Sequence, residues 1–124
     1  MILILDSHAL LWWLADDVTL SEGARRAIAD PSSDVLVSAA NVWEIKIKRA
    51  LGISAPDGLV EAIDAAAFST LPITAVDAEH AGRLPPHHRD PFDRMLIAQA
   101  SRLDGVIVSR DQSFAAYGVE VIAA

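Results

Sequence analysis

Short apolar runs alternate along the chain with helix-length stretches, and this alternation constrains the fold more than any other feature. Ile2–Leu5 is apolar without polar alternation, the pattern of a strand buried on both faces. Val35–Ser38, Leu71–Ile73, Val106–Ser109 and Val119–Ile122 read as further strands. Helices are expected at His8–Ala15, at Ser21–Ala29 with Ser21 as N-cap, and at about Ala40–Leu51, ending at Gly52. Two more are expected from Asp57 or Gly58 to Phe68 and over Val76–Arg83. Asp90 before Pro91 announces the last helix, Pro91–Leu103, with Gly105 beyond its end. Strands separated by helices require parallel crossovers, so the expected fold is a three-layer α/β/α sandwich around a mostly parallel sheet.

The 124 residues suit one domain, residues 1–124, with no repeat, low-complexity segment or linker. Hydrophobic residues make up 52% and charged residues 22%, which argues against disorder. The absence of cysteine rules out disulfides, thiolate nucleophiles and Cys-ligated zinc. The longest apolar stretch, Ala9 to Ala15, is too short for a bilayer, and no cationic leader precedes it; a cytoplasmic protein with no membrane association is the expectation.

A net charge of −7 disfavours a polyanion partner, yet the positive charge is clustered. No Lys or Arg precedes Arg25, and none lies between Arg49 and Arg83. The basic residues gather in Lys46-Ile47-Lys48-Arg49 and from His87 through Arg94. Lys46, Arg89 and Arg94 are therefore candidate phosphate contacts, beside the plainer reading of a solvated helix face for Lys46 and Arg49.

Four acids stand where such a fold places chemistry. Asp6 follows the first apolar strand and Asp111 the strand Val106–Ser109, and ligands of parallel sheets bind outside the carboxyl ends of strands. Asp93 lies in the first turn of the last helix, and Glu44 within a helix of apolar and basic residues. Two like charges ~4 Å apart repel by roughly 4 kcal/mol at an effective dielectric of 20, so protons or a divalent cation must accompany the cluster. Oxygen-only ligands select Mg²⁺ or Mn²⁺ over zinc, and such sites suit phosphodiester hydrolysis.

Each acid also has an ordinary explanation. Asp6 suits the cap of the following helix, Glu44 an ion pair with Lys48, Asp93 a capping-box partner of Asp90, and Asp111 a turn. Asp90 is the better cap, which frees Asp93 for metal. A zinc hydrolase built on His8, His87 or His88 is a rival, although adjacent histidines in a polar loop read more simply as surface residues or substrate contacts. Trp12, Trp13 and Trp43 read as core or interface packing, and the apolar cluster Leu10–Leu14 as core, dimer or partner surface. No dinucleotide, P-loop or serine-hydrolase motif is present.

Leu5-Asp6-Ser7-His8-Ala9-Leu10-Leu11-Trp12, Val42-Trp43-Glu44-Ile45 and the block from Leu84-Pro85 through Asp90-Pro91-Phe92-Asp93-Arg94-Met95-Leu96-Ile97-Ala98-Gln99-Ala100 resemble PIN-domain proteins. The nearest group is the VapC-like ribonuclease toxins of type II toxin–antitoxin pairs. The resemblance implies a PIN fold and an Mg²⁺- or Mn²⁺-dependent endoribonuclease that leaves a 5′-phosphate and a 3′-hydroxyl. It assigns the acidic roles to Asp6, Glu44, Asp93 and Asp111, with Ser7 and Ser109 orienting carboxylates or waters and Asp90 in support. It further implies an RNA substrate, a cognate VapB-like antitoxin and a homodimer. Ser7 and Ser109 stand where the family commonly has Thr, and Asn41 where it often has Ser; Asp111 matches the acid most variable in role. Two alternatives remain: a catalytically weak binding module acting through the antitoxin, and a carboxylate-metal phosphatase.

Overall fold

A computed structural model describes residues 1–124. Five strands, β1 (Ile2–Leu5), β2 (Asp34–Ser38), β3 (Ser69–Leu71), β4 (Val106–Ser109) and β5 (Glu120–Ala123), form one sheet in the order β3-β2-β1-β4-β5. Every neighbouring pair is parallel. The helices are α1 (Ser7–Leu14), α2 (Glu22–Ala29), α3 (Ala39–Ala50), α4 (Leu59–Ala65), α5 (Ala75–Arg83) and α6 (Pro91–Leu103), with a 3₁₀ helix at Gln112–Tyr117.

Alternate residues of the apolar strands feed two cores, which is why these strands carry no polar face. Leu3, Leu5, Val35, Val37, Val106 and Val108 join the core that contains Leu10 of α1 and Ile63 of α4. Ile4 and Ile107 face the other way, onto Leu96 and Ile97 of α6 and Phe114. The expected three-layer α/β/α sandwich is therefore present, and its sheet is wholly parallel. No helix is long and apolar enough to cross a membrane.

Capping chemistry places the helices. Ser21 accepts from the Ala24 amide, and Thr74 and Asp77 form a reciprocal capping box at the start of α5. Asp90 accepts from the amides of Phe92 and Asp93, as expected of the residue before Pro91. Gly52 has φ +102°, the left-handed conformation expected of it. At the end of α6, however, the left-handed residue is Asp104 (φ 52°) and not Gly105. Gly105 is small for another reason: a Cβ there would lie 3.3 Å from Ile2 Cγ2.

Most boundaries lie within one residue of expectation, and two elements depart further. α4 stops at Ala65, short of Phe68, because Ala67 turns left-handed at φ 63°. The strand expected at Leu71–Ile73 lies two residues earlier, at Ser69–Leu71, and the next residue, Pro72, has no N–H for the ladder. The apolar cluster of α1 is largely core: Leu10 is buried, Trp13 packs at a tilt against Phe68 with ring centroids 6.0 Å apart, and the Arg110 guanidinium lies 4.5 Å over Trp12. Trp43 is 63% exposed, so it serves a surface and not the core.

Candidate active site

The chain leaves β1 toward β2 and β3, then returns to build β4 and β5 on the other side. The order thus reverses between β1 and β4, and a parallel sheet opens a crevice at such a point. Asp6 and Asp111 stand at the carboxyl ends of these two strands. Helices α3 and α6 bring Glu44 and Asp93 to the same place. All four acids line one cleft of about 260 Å³, together with Ser7, His8, Lys48, Asp90 and Phe114.

Ser109 joins the two strand ends. Its hydroxyl donates to Asp6 Oδ2 at 2.5 Å and accepts from the Asp111 amide at 3.0 Å. Asp6 Oδ1 accepts from the Ala9 amide at 2.9 Å, so Asp6 caps α1 while its carboxylate faces the cleft. Burial pushes the Asp6 carboxyl above its ordinary range, against the opposing hydrogen bonds from Ser109 and Ala9.

Glu44 is only 5% exposed and fully engaged. Oε1 accepts from the Ser7 hydroxyl and, at 3.4 Å, from Asn41 Nδ2; Oε2 pairs with Lys48 Nζ at 3.1 Å. Asn41 Nδ2 also donates to Ser7 Oγ at 2.8 Å. The helix ion pair with Lys48 is therefore present, and the same carboxylate lines the cleft. Asp93 is different. The nearest cationic or imidazole nitrogen to its carboxylate is His88 Nδ1, at 3.8 Å. Burial first, then repulsion from Asp90, Glu44, Asp6 and Asp111, raises its pKa from 3.8 to about 7. Asp111 caps the 3₁₀ helix, accepting from the Ser113 hydroxyl at 2.6 Å and the Ser113 amide at 3.0 Å. The Ser113 hydroxyl bond leads the effects that hold Asp111 below the usual carboxylate range.

The expected basic contacts are placed otherwise. Arg94 is not turned to the cleft; its guanidinium donates to the carbonyls of Ala81, Leu84, Pro85 and His88 at 2.8–3.2 Å and ties the loop before α6 in place. Lys46 reaches the Asp57 carbonyl at 3.3 Å and lines a different cleft with Arg49. Arg89 is exposed and outside the lining of the acid cleft. Lys48 supplies the cleft's ammonium instead, a position signalled only by its spacing of four from Glu44. His88, read from sequence as a surface or substrate-facing residue, has a side chain only 12% exposed. It lies between Asp93 and Asp111, and the three bring donor atoms within 4.8 Å of one another. Nothing local announces this, because the ring is held by Phe114 and Tyr117 from the far end of the chain.

This donor set fits a hard divalent cation. Carboxylates converge on one cleft whose single ammonium is already paired with Glu44, and burial with repulsion from the neighbouring acids raises the Asp93 pKa to about 7.

A parallel sheet with an acid quartet at its switch point is the arrangement of a PIN domain, and the PIN-domain family model matches residues 3–120. The chain belongs to the PIN-domain family. Its fold is similar to that of VapBC2 from Rickettsia felis bound to a promoter DNA fragment, with a TM-score of 0.73 at 10% identity, covering 99% of this chain and 98% of that one. Similar too are DNA-bound VapBC from Salmonella typhimurium (TM-score 0.72, 18% identity, 99% and 98% covered) and VapBC-5 from Mycobacterium tuberculosis (TM-score 0.63, 18%, 99% and 98%). Comparison with curated protein sequences gives no match.

Proposed function

We propose that this chain is a metal-dependent endoribonuclease and the toxin of a type II toxin–antitoxin pair. The observation that carries the reading is the convergence of Asp6, Glu44, Asp93 and Asp111 on one cleft, with Asp93 left short of positive charge. The likeness to VapBC complexes supports the toxin part.

Asp6 and Asp93 would hold the principal Mg²⁺ or Mn²⁺, with Glu44 and Asp111 completing the set directly or through water. The ion would lower the pKa of a bound water and polarise a phosphate oxygen. Ser109 keeps the Asp6 carboxylate aimed into the cleft, and Ser7 does the same for Glu44. Lys48, held against Glu44, stands where an RNA phosphate entering the cleft would meet an ammonium. A VapB-like antitoxin and a homodimer are the partners in this reading. The exposed apolar side chains Trp43 and Ile47 of α3, with Leu51 just past its end, offer surface for one of them.

The test is the purified chain, freed of partner, incubated with total RNA in Mg²⁺ or EDTA, with fragment ends mapped. Internal cleavage leaving 5′-phosphate and 3′-hydroxyl ends, abolished by EDTA, is expected. Phosphate release from monoesters alone would indicate a phosphatase, and metal binding without turnover a binding module. Undiminished cleavage by both Asp6→Asn and Asp93→Asn would defeat the site assignment.

A further inference from the structure

We propose that His88 is a nitrogen ligand of the metal site, sharing a cation with Asp93 through Nδ1, while Asp111 and Ser113 orient its ring. The inference rests on the metal-dependent reading above and replaces the expectation of an oxygen-only ligand set.

The hydrogen bonds decide which ring nitrogen is free. The Ser113 hydroxyl has one proton and gives it to Asp111 Oδ1 at 2.6 Å. Toward His88 Nε2, 2.8 Å away, the same oxygen must accept. Nε2 therefore carries the N–H, and Asp111 Oδ2, 3.3 Å off, lies on the same side. In the neutral ring Nδ1 is then a bare lone pair, and the group facing it is Asp93 Oδ2 at 3.8 Å. With Asp93 ionised, as a metal ligand must be, two acceptors confront each other in a half-buried place and repel unless something positive lies between them.

The separation suits a shared ion. Donors each about 2.1 Å from one cation lie about 3.0 Å apart at a right angle and at most about 4.2 Å apart. A distance of 3.8 Å falls inside that range and is too long for a direct hydrogen bond. A metal-bound histidine almost always gives its other N–H to a carboxylate or carbonyl partner, and here Nε2 meets Ser113 and Asp111. The ring is also fixed without any ion. It stacks on Tyr117 with planes 12° apart and lies 5.0 Å from Phe114. The His88 amide donates to the Tyr117 hydroxyl at 2.7 Å, and that hydroxyl donates to the Pro85 carbonyl at 2.7 Å. Asp111 thus also holds the ring from its Nε2 side, and the imidazole favours a first-row transition ion over Mg²⁺.

Mn²⁺ bound to the whole chain, without RNA, provides the test, read by electron spin-echo modulation for a directly bonded imidazole ¹⁴N and by titration for affinity. The wild type should show the nitrogen coupling. His88→Phe, which keeps the ring packing but has no nitrogen, should lose it and bind Mn²⁺ about ten-fold or more weakly. His8→Ala should retain it, which separates His88 from His8, the imidazole that lines the acid cleft. Wild-type protein that binds Mn²⁺ and cleaves RNA without the coupling, or coupling that survives His88→Phe, overturns the inference and leaves the nuclease reading intact. A chain that binds no Mn²⁺ overturns both.

Discussion

Asp6 and Ser109 are 103 residues apart in sequence and joined by a 2.5 Å hydrogen bond across the ends of β1 and β4. The same Ser109 oxygen accepts from the Asp111 amide, so one hydroxyl aligns two acids of the cleft. Replacing Ser109 by Ala should leave Asp6 with the Ala9 amide alone and free it to rotate. Because the residue is fully buried, a loss of about 1–2 kcal/mol is expected from urea unfolding, with a drop in RNA cleavage. Ser109→Thr, which keeps the hydroxyl, should preserve activity.

Asp93 makes metal-free stability depend on pH. Its folded pKa, about 7, exceeds the ordinary 3.8, so the folded state holds the extra proton between these values. Stability should fall as pH rises from about 4 to about 7 in EDTA, since over that window the native state binds more protons than the unfolded one. At about 1.4 kcal/mol per pKa unit the ceiling is about 4 kcal/mol; with the side chain 25% exposed, about 1–2 kcal/mol is the working figure. Asp93→Asn should remove most of this slope and be more stable than wild type at pH 7.5 in EDTA. Urea midpoints at pH 5 and pH 7.5 check it.

Divalent metal should reverse that sign. Mg²⁺ or Mn²⁺ at 100 times its dissociation constant adds about 2.7 kcal/mol if only the folded chain binds. Wild-type Tm at pH 7.5 should rise on adding metal and return with EDTA. Asp93→Asn should show little of either shift.

Arg94 is expected to matter for stability and not for RNA contact. Its guanidinium satisfies four carbonyls around the loop from Leu84 to His88. Arg94→Gln should cost about 2–4 kcal/mol and make this loop sensitive to protease. The salt dependence of RNA binding should be unchanged, whereas Lys48→Gln should flatten it.

Asp77 and Arg102 pair at 2.7 and 3.0 Å between α5 and α6, and Asp77 is 1% exposed. Removing the carboxylate takes both hydrogen bonds from the part-exposed Arg102 and breaks the Thr74 capping box. Asp77→Ala should lower stability by about 1–3 kcal/mol in denaturant titration, without altering Mn²⁺ affinity of the protein that remains folded.

Much of the fold can be read from neighbours in the chain. Ile2–Leu5 and Val106–Ser109 are strands at the expected residues, and Ser21 and Asp90 cap the helices they precede. α4 and β3 departed because a left-handed Ala67 carries no local signature. The four acids converge as expected, since Asp6 and Asp111 lie at strand ends and Asp93 follows a clear cap. The basic contacts departed because charge clustering along the chain does not say where long side chains turn: Arg94 found carbonyls, and Lys48 took the place expected of Lys46.

The sequence alone determined the alternation of strands and helices, the caps and the strand-end acids, because apolar period and capping bonds act over a few residues. Tertiary structure alone decided that Ser109 would hold Asp6, that Arg94 would face inward, and that His88 would sit between Asp93 and Asp111. Those partners lie far apart along the chain, and they meet only when sheet order and helix packing close the intervening loops.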